Sequence, residues 1–288
     1  MKSDSNDRFA RSGKSDLVVS VQWLREHLDD PLIAIADCRF SLMQPDLGHQ
    51  QYQVGHIPGA YYLDLNLDLS SLVGRHGGRH PLPDPELFAA KLSAIGVNSN
   101  PSDGTELTLV VAYDDSRFAF ASRLWWLLTY FGHSRVVVLD GGLSAWIEAG
   151  YDLSEVIPAK KSGLFIPNPN PDIIVDIDYV KTNKDRADVV LIDSREEERY
   201  RGEREPIDPI AGHISGAVNY AWQEASNPQG YLLKDPQARW ASLHNEKEVI
   251  VYCGSGVTAC VNLLSLKMAD INAKLYPGSW SDWCSYLV

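Results

Sequence analysis

Cys253 stands at the start of a glycine-rich turn, between an apolar run and a helix-like stretch. The segment reads VIVYCGSGVTACVNLLSL, so Cys253 directly follows a strand of the buried type. Gly254 and Gly256 allow backbone conformations that other residues avoid, and successive N–H groups can then point inward as an anion-binding nest. The helix that follows adds the positive end of its dipole. Both effects favour the thiolate form of Cys253, which is the nucleophilic form.

Four interpretations of this loop are open. A buried structural thiol needs no ring of N–H groups around it. A dinucleotide site would place an acidic residue about 20 positions further on, where the sequence has Lys274, Leu275 and Tyr276. A cysteine phosphatase would carry an arginine at the position of Ala259 to hold phosphoryl oxygens. A sulfur-carrying cysteine needs only the nucleophile and the N–H donors, so the sequence favours this fourth interpretation.

An internal repeat shows which elements position the loop. Three pairs of segments recur in the same order. In the first pair, LIAIADCRF followed by GHIPGA matches VVLIDSREEERY followed by GHISGA. The second pair is LVVAY and VIVY, and the third is DGGLSAW and PGSWSDW. Val- and Ile-rich runs alternate with helix-like stretches, such as residues 121–131 and 259–269, which is typical of parallel strands joined by helices. We therefore predict an α/β fold of two tandem domains, each a parallel sheet flanked by helices.

The repeat and the polar segments define the predicted domain limits. They are a disordered lead-in at residues 1–15, a first domain at 16–152, a linker at 153–171 and a second domain at 172–288. In the first domain Asp114 stands at the position of Cys253, so we expect that domain to be catalytically silent.

The first half also carries an insertion. His213 follows His56 by 157 positions, whereas Cys253 follows Asp114 by 139, so the first half has 18 additional residues between these matches. Residues 66–83, which contain GRHGGRHPLP, are their natural location and predict a loop without regular structure. Long loops of this kind are often functional. His56 and His213 recur in both halves, of which only one has the thiol, so we interpret both as structural.

Composition excludes several classes of protein. At roughly 150 residues per domain, a chain of 288 residues fits two domains. With 44% hydrophobic and 22% charged residues it resembles a globular protein, and no run approaches the roughly 18 apolar residues of a membrane span. The net charge of −12, without a Lys/Arg cluster, argues against a nucleic-acid partner.

The four cysteines form no C-x-x-C pair, which argues against a disulfide framework or a zinc site and favours a reducing, cytoplasmic compartment. We expect Cys260 to lie buried in a helix and Cys284, near the chain end, to be exposed. His76 and His80 are separated by glycines and lack a clustered third ligand, so we expect no metal there.

As a set, these motifs resemble the two-domain rhodanese-like sulfurtransferases over nearly the whole chain after residue 15. Asp193–Arg195, GHISGA, CGSGVTA and PGSWSDW are similar to the active domain of that family, and GHIPGA and DGGLSAW to its inactive amino-terminal domain. The resemblance implies an active site that faces the cleft between the domains. Cys253 would take a sulfane sulfur from a donor as a persulfide and pass it to cyanide or a thiol, for example reduced thioredoxin. It implies no organic cofactor and no metal, and we expect a monomer without nucleic-acid or membrane partners.

The resemblance leaves two sulfur donors open. The loop CGSGVT resembles that of the 3-mercaptopyruvate enzymes, whereas thiosulfate enzymes typically carry basic residues at the positions of Gly254 and Ser255. Arg199 matches the donor-binding arginine of the family, which grips a carboxylate or sulfonate by paired hydrogen bonds. The mercaptopyruvate pattern has a second arginine shortly before the GH motif. Here that stretch reads EREPIDPIAGH, and Arg204 is not aligned with it.

The resemblance also implies the remaining site residues. His80, on the inserted loop, aligns with a histidine that some members bring to the active cleft, where Ser255 would be its partner in a proton relay. The acid of that relay stands here as Asn66. The predicted donor-binding residues are Arg199 and the loop residues Gly254, Gly256, Val257 and Thr258. The alternative from another class is a non-catalytic sulfur-sensing or scaffold module, against which the retained arginine and loop argue.

Overall fold

The computed structural model describes residues 17–99, 106–243 and 248–288. The predicted disordered lead-in, residues 1–15, lies outside these ranges. The described chain contains one five-stranded and one four-stranded sheet, one in each half, and all strands pair in parallel. The predicted α/β fold of two domains is therefore confirmed.

The first domain consists of β1 (Val18–Val19), α1 (Val21–Glu26), β2 (Ile33–Asp37), α2 (Leu47–Val54), β3 (Tyr61–Tyr62), α3 (Pro85–Ala94), β4 (Leu109–Tyr113), α4 (Ala121–Tyr130), β5 (Val136–Leu139) and α5 (Gly142–Glu148). The second domain consists of α6 (Ile177–Asn183), β6 (Val189–Asp193), α7 (Glu197–Tyr200), β7 (Val218–Asn219), α8 (Pro236–Arg239), β8 (Glu248–Tyr252), α9 (Ala259–Met268), β9 (Ala273–Leu275) and α10 (Ser279–Cys284). Single 3-10 turns lie at Pro171–Ile173 and Trp222–Ala225. Within the described ranges, no helix combines the length and apolar character that crossing a bilayer requires.

The two sheets share one topology. Their strand orders are β1-β5-β4-β2-β3 and β7-β6-β8-β9, so β8 takes the central place in the second sheet that β4 takes in the first. The counterpart of β1 is reduced to a bridge between Ile174 and Leu275. β8 pairs with β6 through Tyr252 opposite Asp193. The carboxyl ends of both strands therefore meet at one edge of the sheet, the usual place for a ligand site in an α/β fold.

The repeated polar motifs make the same contacts in both domains. In the first, Arg39 Nη2 donates to the Asp37 carboxylate and to the Gly55 carbonyl at 2.8 Å; in the second, Arg195 Nη2 donates to Asp193 and to the carbonyl of residue 212 at 2.6 Å.

Both repeated histidines are engaged in the same way. His56 stacks on Tyr52 with ring centroids 4.0 Å apart, and His213 stacks on Tyr200 at 3.9 Å. Nδ1 of each histidine lies 2.8 Å from the carbonyl oxygen of its tyrosine. The contacts recur in the domain without the thiol, which supports the structural interpretation of these histidines.

α4 and α9 join the two domains. Leu124 and Leu128 of α4 belong to the same buried apolar cluster as Leu263 and Leu264 of α9. Each helix follows the loop at the end of its central strand. Packing the two helices together therefore brings the two loops to the same cavity between the domains.

Candidate active site

The candidate active site is a cavity of about 540 Å³ between the domains, with Cys253 in its wall. The second domain contributes Arg195, Glu196, Arg199, Ile207, Trp222, Cys253, Gly254, Ser255, Val257 and Thr258. The first contributes Phe40, Ser41, Leu42, Leu47, Gln51, Arg79, Asp115, Ser116, Ala119 and Phe120. Most of the predicted site residues therefore share this cavity. Gly256, which is part of the loop, and His80, which contacts Ser255, do not line it.

Cys253 follows β8 directly and is held by the start of α10. Its N–H donates to Ser279 Oγ at 3.1 Å, and its carbonyl accepts from the N–H of Trp280 at 3.0 Å. The next carbonyl, that of Gly254, accepts from the N–H of Ser281 at 2.9 Å. Only 1% of the Cys253 surface is exposed, so the thiol is reached through the cavity.

Gly256 allows the loop to pass close to the segment before α10. Its φ is +74°, in the region that favours glycine. A Cβ at this position would lie 2.3 Å from the carbonyl oxygen of Pro277. These contacts give Gly256 a conformational role in the loop, and its predicted part in donor binding stays a prediction.

The equivalent loop of the first domain shows what such a nest holds. The buried carboxylate of Asp114 accepts hydrogen bonds from the N–H groups of Ser116, Phe118, Phe120 and Ala121, at 2.8–3.0 Å. Burial raises the pKa of Asp114, and the N–H groups oppose that rise. A carboxylate thus fills the nest that the repeat assigns to Cys253 in the second domain. This comparison supports an anion-stabilising function for the loop at Cys253.

His80 reaches Ser255 across the domain boundary. Its Nδ1 lies 2.7 Å from Ser255 Oγ, and only 6% of its surface is exposed. Burial, together with the charges of Arg123 and Arg79, lowers the pKa of His80 to about 3, so the imidazole is neutral at neutral pH.

No carboxylate completes this pair within the described residues. Asp64 accepts from the N–H groups of Asn66 and Leu67, and Asp68 pairs with Lys91. Asn66, at the place of the relay acid, is exposed. The proximity of His80 and Ser255 is therefore established by the structure, and their part in proton transfer stays a prediction.

The inserted loop carries His80 to this position because it lies along α10. The N–H of Gly77 donates to Asp282 Oδ1 at 2.7 Å, and Nδ1 of His76 lies 2.7 Å from Ser285 Oγ. His76 also stacks on Tyr286 at 4.0 Å. Residues 66–83 contain no helix or strand, as predicted. His76 and His80 thus face different partners, and the described chain contains no cluster of three His, Cys, Asp or Glu side chains suited to a metal.

Arg199 is buried in the cavity wall and bound to two carboxylates. Its Nε and Nη2 donate to Glu205 at 3.2 and 2.8 Å, and Nη2 also donates to Asp208 at 3.1 Å. Burial alone would raise the pKa of Glu205, but hydrogen bonds from Arg199 and from two backbone N–H groups hold it below its usual value. Burial raises the pKa of Asp208 despite its two arginine partners, Arg79 and Arg199.

The other three cysteines are free and buried. Cys260 lies in α9, as predicted, and burial raises its pKa to about 12. The expectation of an exposed Cys284 is wrong, because α10 packs its side chain into an apolar cluster with Tyr276 and Trp280, and its exposed fraction is 0%. Burial raises the pKa of Cys284 to about 11, which disfavours its thiolate form at neutral pH.

Sequence reasoning missed two arginines from the first domain. Arg123, in α4, is fully buried and donates to the carbonyls of Gly256 at 3.0 Å and His80 at 3.2 Å. Arg79 lines the cavity and forms an ion pair with Asp208. An arginine inside the apolar stretch ASRLWWLLTY was a usable signal for the first. For Arg79 the only signal in the sequence was its position next to His80.

The comparisons with known proteins agree with this architecture. The sequence matches the rhodanese-like domain over residues 20–149 and again over 176–286. It is 41% identical to a probable 3-mercaptopyruvate sulfurtransferase of Pseudomonas aeruginosa, over 92% of this chain and 94% of that protein. It is 35% identical to a putative thiosulfate sulfurtransferase of Mycobacterium tuberculosis, over 89% of each chain. The crystal structure of a 3-mercaptopyruvate sulfotransferase from Escherichia coli superposes with a TM-score of 0.80 at 35% identity, over 93% of this chain and 99% of that one.

Two tandem parallel sheets with a cysteine loop at their shared cavity define a two-domain α/β protein of the sulfur-carrying type. The chain belongs to the rhodanese-like domain family and contains two copies of the domain.

Proposed function

We propose that this protein is a sulfurtransferase that carries a sulfane sulfur on Cys253, from 3-mercaptopyruvate or thiosulfate to cyanide or a thiol. The observation that supports it most is the position of Cys253. It lies in the wall of an interdomain cavity, on a loop whose counterpart in the first domain binds a carboxylate through four N–H groups.

In the first half-reaction, the Cys253 thiolate attacks the sulfur that is transferred, the thiol sulfur of 3-mercaptopyruvate or the outer sulfur of thiosulfate, and forms an S–S bond. With 3-mercaptopyruvate the C–S bond breaks, its electron pair stays on carbon, and a proton completes pyruvate. With thiosulfate the S–S bond of the donor breaks and the pair leaves with sulfite. The N–H groups of the loop stabilise the resulting persulfide anion.

In the second half-reaction, cyanide or a thiolate attacks the outer sulfur of the persulfide. Thiocyanate or a new persulfide leaves, and the Cys253 thiolate returns. Ser255, joined to His80, supplies or accepts the proton that the leaving group or the acceptor requires. Reduced thioredoxin is a thiol of the required kind, and a cytoplasmic, monomeric enzyme stays our prediction from the sequence.

The test is steady-state sulfur transfer to cyanide, with 3-mercaptopyruvate and thiosulfate compared side by side and the Cys253→Ser protein as the blank. Turnover that is lost in the variant supports the proposal, and the ratio of the two kcat/KM values assigns the donor. Persulfide formation without transfer to any acceptor would indicate a sulfur-sensing module instead.

A further inference from the structure

Two guanidinium groups, one from each domain, converge beside Gly254. A Cβ placed on that residue would lie 3.0 Å from Nη2 of Arg79 and 3.6 Å from Nη1 and Nη2 of Arg199. Gly254 directly follows Cys253, and both arginines line the same cavity as Cys253. A side chain at position 254 would occupy the space that both arginines face.

Asp208 fixes the two arginines relative to each other. One carboxylate oxygen pairs with Arg79 Nη1, and the other accepts from Arg199 Nη2 at 3.1 Å. The backbone N–H of Arg79 also donates to Ser281 Oγ at 3.2 Å. Arg79 is thus held at both its backbone and its side chain, although it comes from an inserted loop of the first domain.

Each guanidinium keeps one nitrogen for another ligand. Among the described residues, neither Nη2 of Arg79 nor Nη1 of Arg199 has a hydrogen-bond acceptor. The Arg79 side chain is 31% exposed, on the wall of the cavity.

The charges around these nitrogens are balanced. The carboxylates of Glu205 and Asp208 neutralise much of the arginine charge, and Asp115 and Glu196 also line the cavity. The features on this wall that could hold an anion are therefore directed N–H groups and not a broadly positive surface.

We propose that Arg79 is a donor-binding residue, which with Arg199 holds the anionic group of the sulfur donor, a carboxylate or a sulfonate, while its sulfane sulfur faces Cys253. The inference rests on the proposed function. It gives the domain without the thiol a direct part in substrate recognition.

The first test compares Arg79→Gln with Arg75→Gln. Arg75 is an exposed arginine of the same loop, so its variant removes the same charge without touching the cavity. A charge-assisted hydrogen bond lost from donor binding raises KM for the donor roughly 10- to 100-fold. We expect this for Arg79→Gln, with kcat little changed, and no change for Arg75→Gln. Equal effects of the two variants, or an unchanged KM in Arg79→Gln, would overturn the inference.

Arg79→Lys provides a second variant that keeps the positive charge toward Asp208 but loses the planar guanidinium with its paired N–H donors. A raised KM is expected here too, and it decides the matter if Arg79→Gln does not fold.

The second test needs no sulfur transfer. Iodoacetate and iodoacetamide alkylate a thiolate in the same way, with loss of iodide, but only iodoacetate carries a carboxylate. We expect the ratio of their rates at Cys253 to fall roughly tenfold in Arg79→Gln and to stay unchanged in Arg75→Gln. If the wild-type protein is inactive with both donors and Arg79→Gln still shows this fall in the ratio, the proposed function is refuted but the anion subsite is supported. An unchanged ratio would refute the subsite.

Discussion

Substituting Gly256 by alanine tests whether the cysteine loop depends on its close approach to Pro277. Alanine at a φ of +74° costs about 1–2 kcal/mol. Its Cβ would also lie 2.3 Å from the Pro277 carbonyl oxygen, which is backbone and cannot turn aside. Such overpacking adds about 1–3 kcal/mol. The free energy of unfolding should therefore fall by about 2–5 kcal/mol.

Gly150→Ala is the matched control. Gly150 has a φ of +75°, but a Cβ there would meet nothing within 4 Å. This variant isolates the backbone strain, so it should lose only about 1–2 kcal/mol. The difference between the two variants measures the clash with Pro277.

The assay combines urea unfolding with the rate of persulfide formation at saturating donor. Displacement of the loop by a few tenths of an ångström to 1 Å should slow that rate by roughly 10- to 100-fold in Gly256→Ala, and leave it unchanged in Gly150→Ala. If both variants unfold at the same urea concentration and react at the wild-type rate, the reasoning about Pro277 is wrong.

Three further predictions concern Ser255 of the loop and the groups behind it. Arg123→Met should lower the free energy of unfolding by about 2–4 kcal/mol in urea, because the carbonyls of Gly256 and His80 lose their charged guanidinium donor; a value below about 0.5 kcal/mol would contradict this. The pKa of His80 is about 3 in the folded protein and near 6.5 in the unfolded chain, so between these pH values only the unfolded chain binds the additional proton. The contribution of neutral His80 to the free energy of unfolding is therefore fully present above pH 6.5 and falls by about 1.4 kcal/mol per pH unit below it. His80→Asn should flatten the pH dependence of the unfolding free energy over this interval, and equal slopes in both proteins would argue against a neutral His80. Ser255→Ala should slow turnover by roughly 100-fold with little change in KM, whereas wild-type kcat would exclude Ser255 from proton transfer.

Local patterns in the sequence were sufficient for much of the fold. The run Leu109–Tyr113 was predicted as a strand and forms β4 with the same limits, because a buried parallel strand is apolar on both faces. The strand before Cys253 begins one residue earlier than predicted, at Glu248. Residues 121–131 and 259–269 form helices that each end one residue earlier. The internal repeat then predicted that the two domains have similar folds.

Contacts between distant parts of the chain could not be obtained in this way. Arg79 and Asp208 are separated by 129 positions, and their ion pair depends on how the inserted loop lies along α10. Neither periodicity nor composition encodes that contact. Cys284 was expected to be exposed because it lies near the chain end, but the packing of α10 buries it. The pairing of His80 with Ser255 was suggested only by resemblance.

The most direct test of the central claim is the intact mass of the protein after incubation with each donor and removal of the excess. The wild-type protein and Cys260→Ser should each gain the mass of one sulfur atom, cyanide should remove it as thiocyanate, and Cys253→Ser should gain nothing. A gain that persists in Cys253→Ser, or no gain in the wild-type protein with either donor, would contradict the assignment of Cys253 as the sulfur carrier.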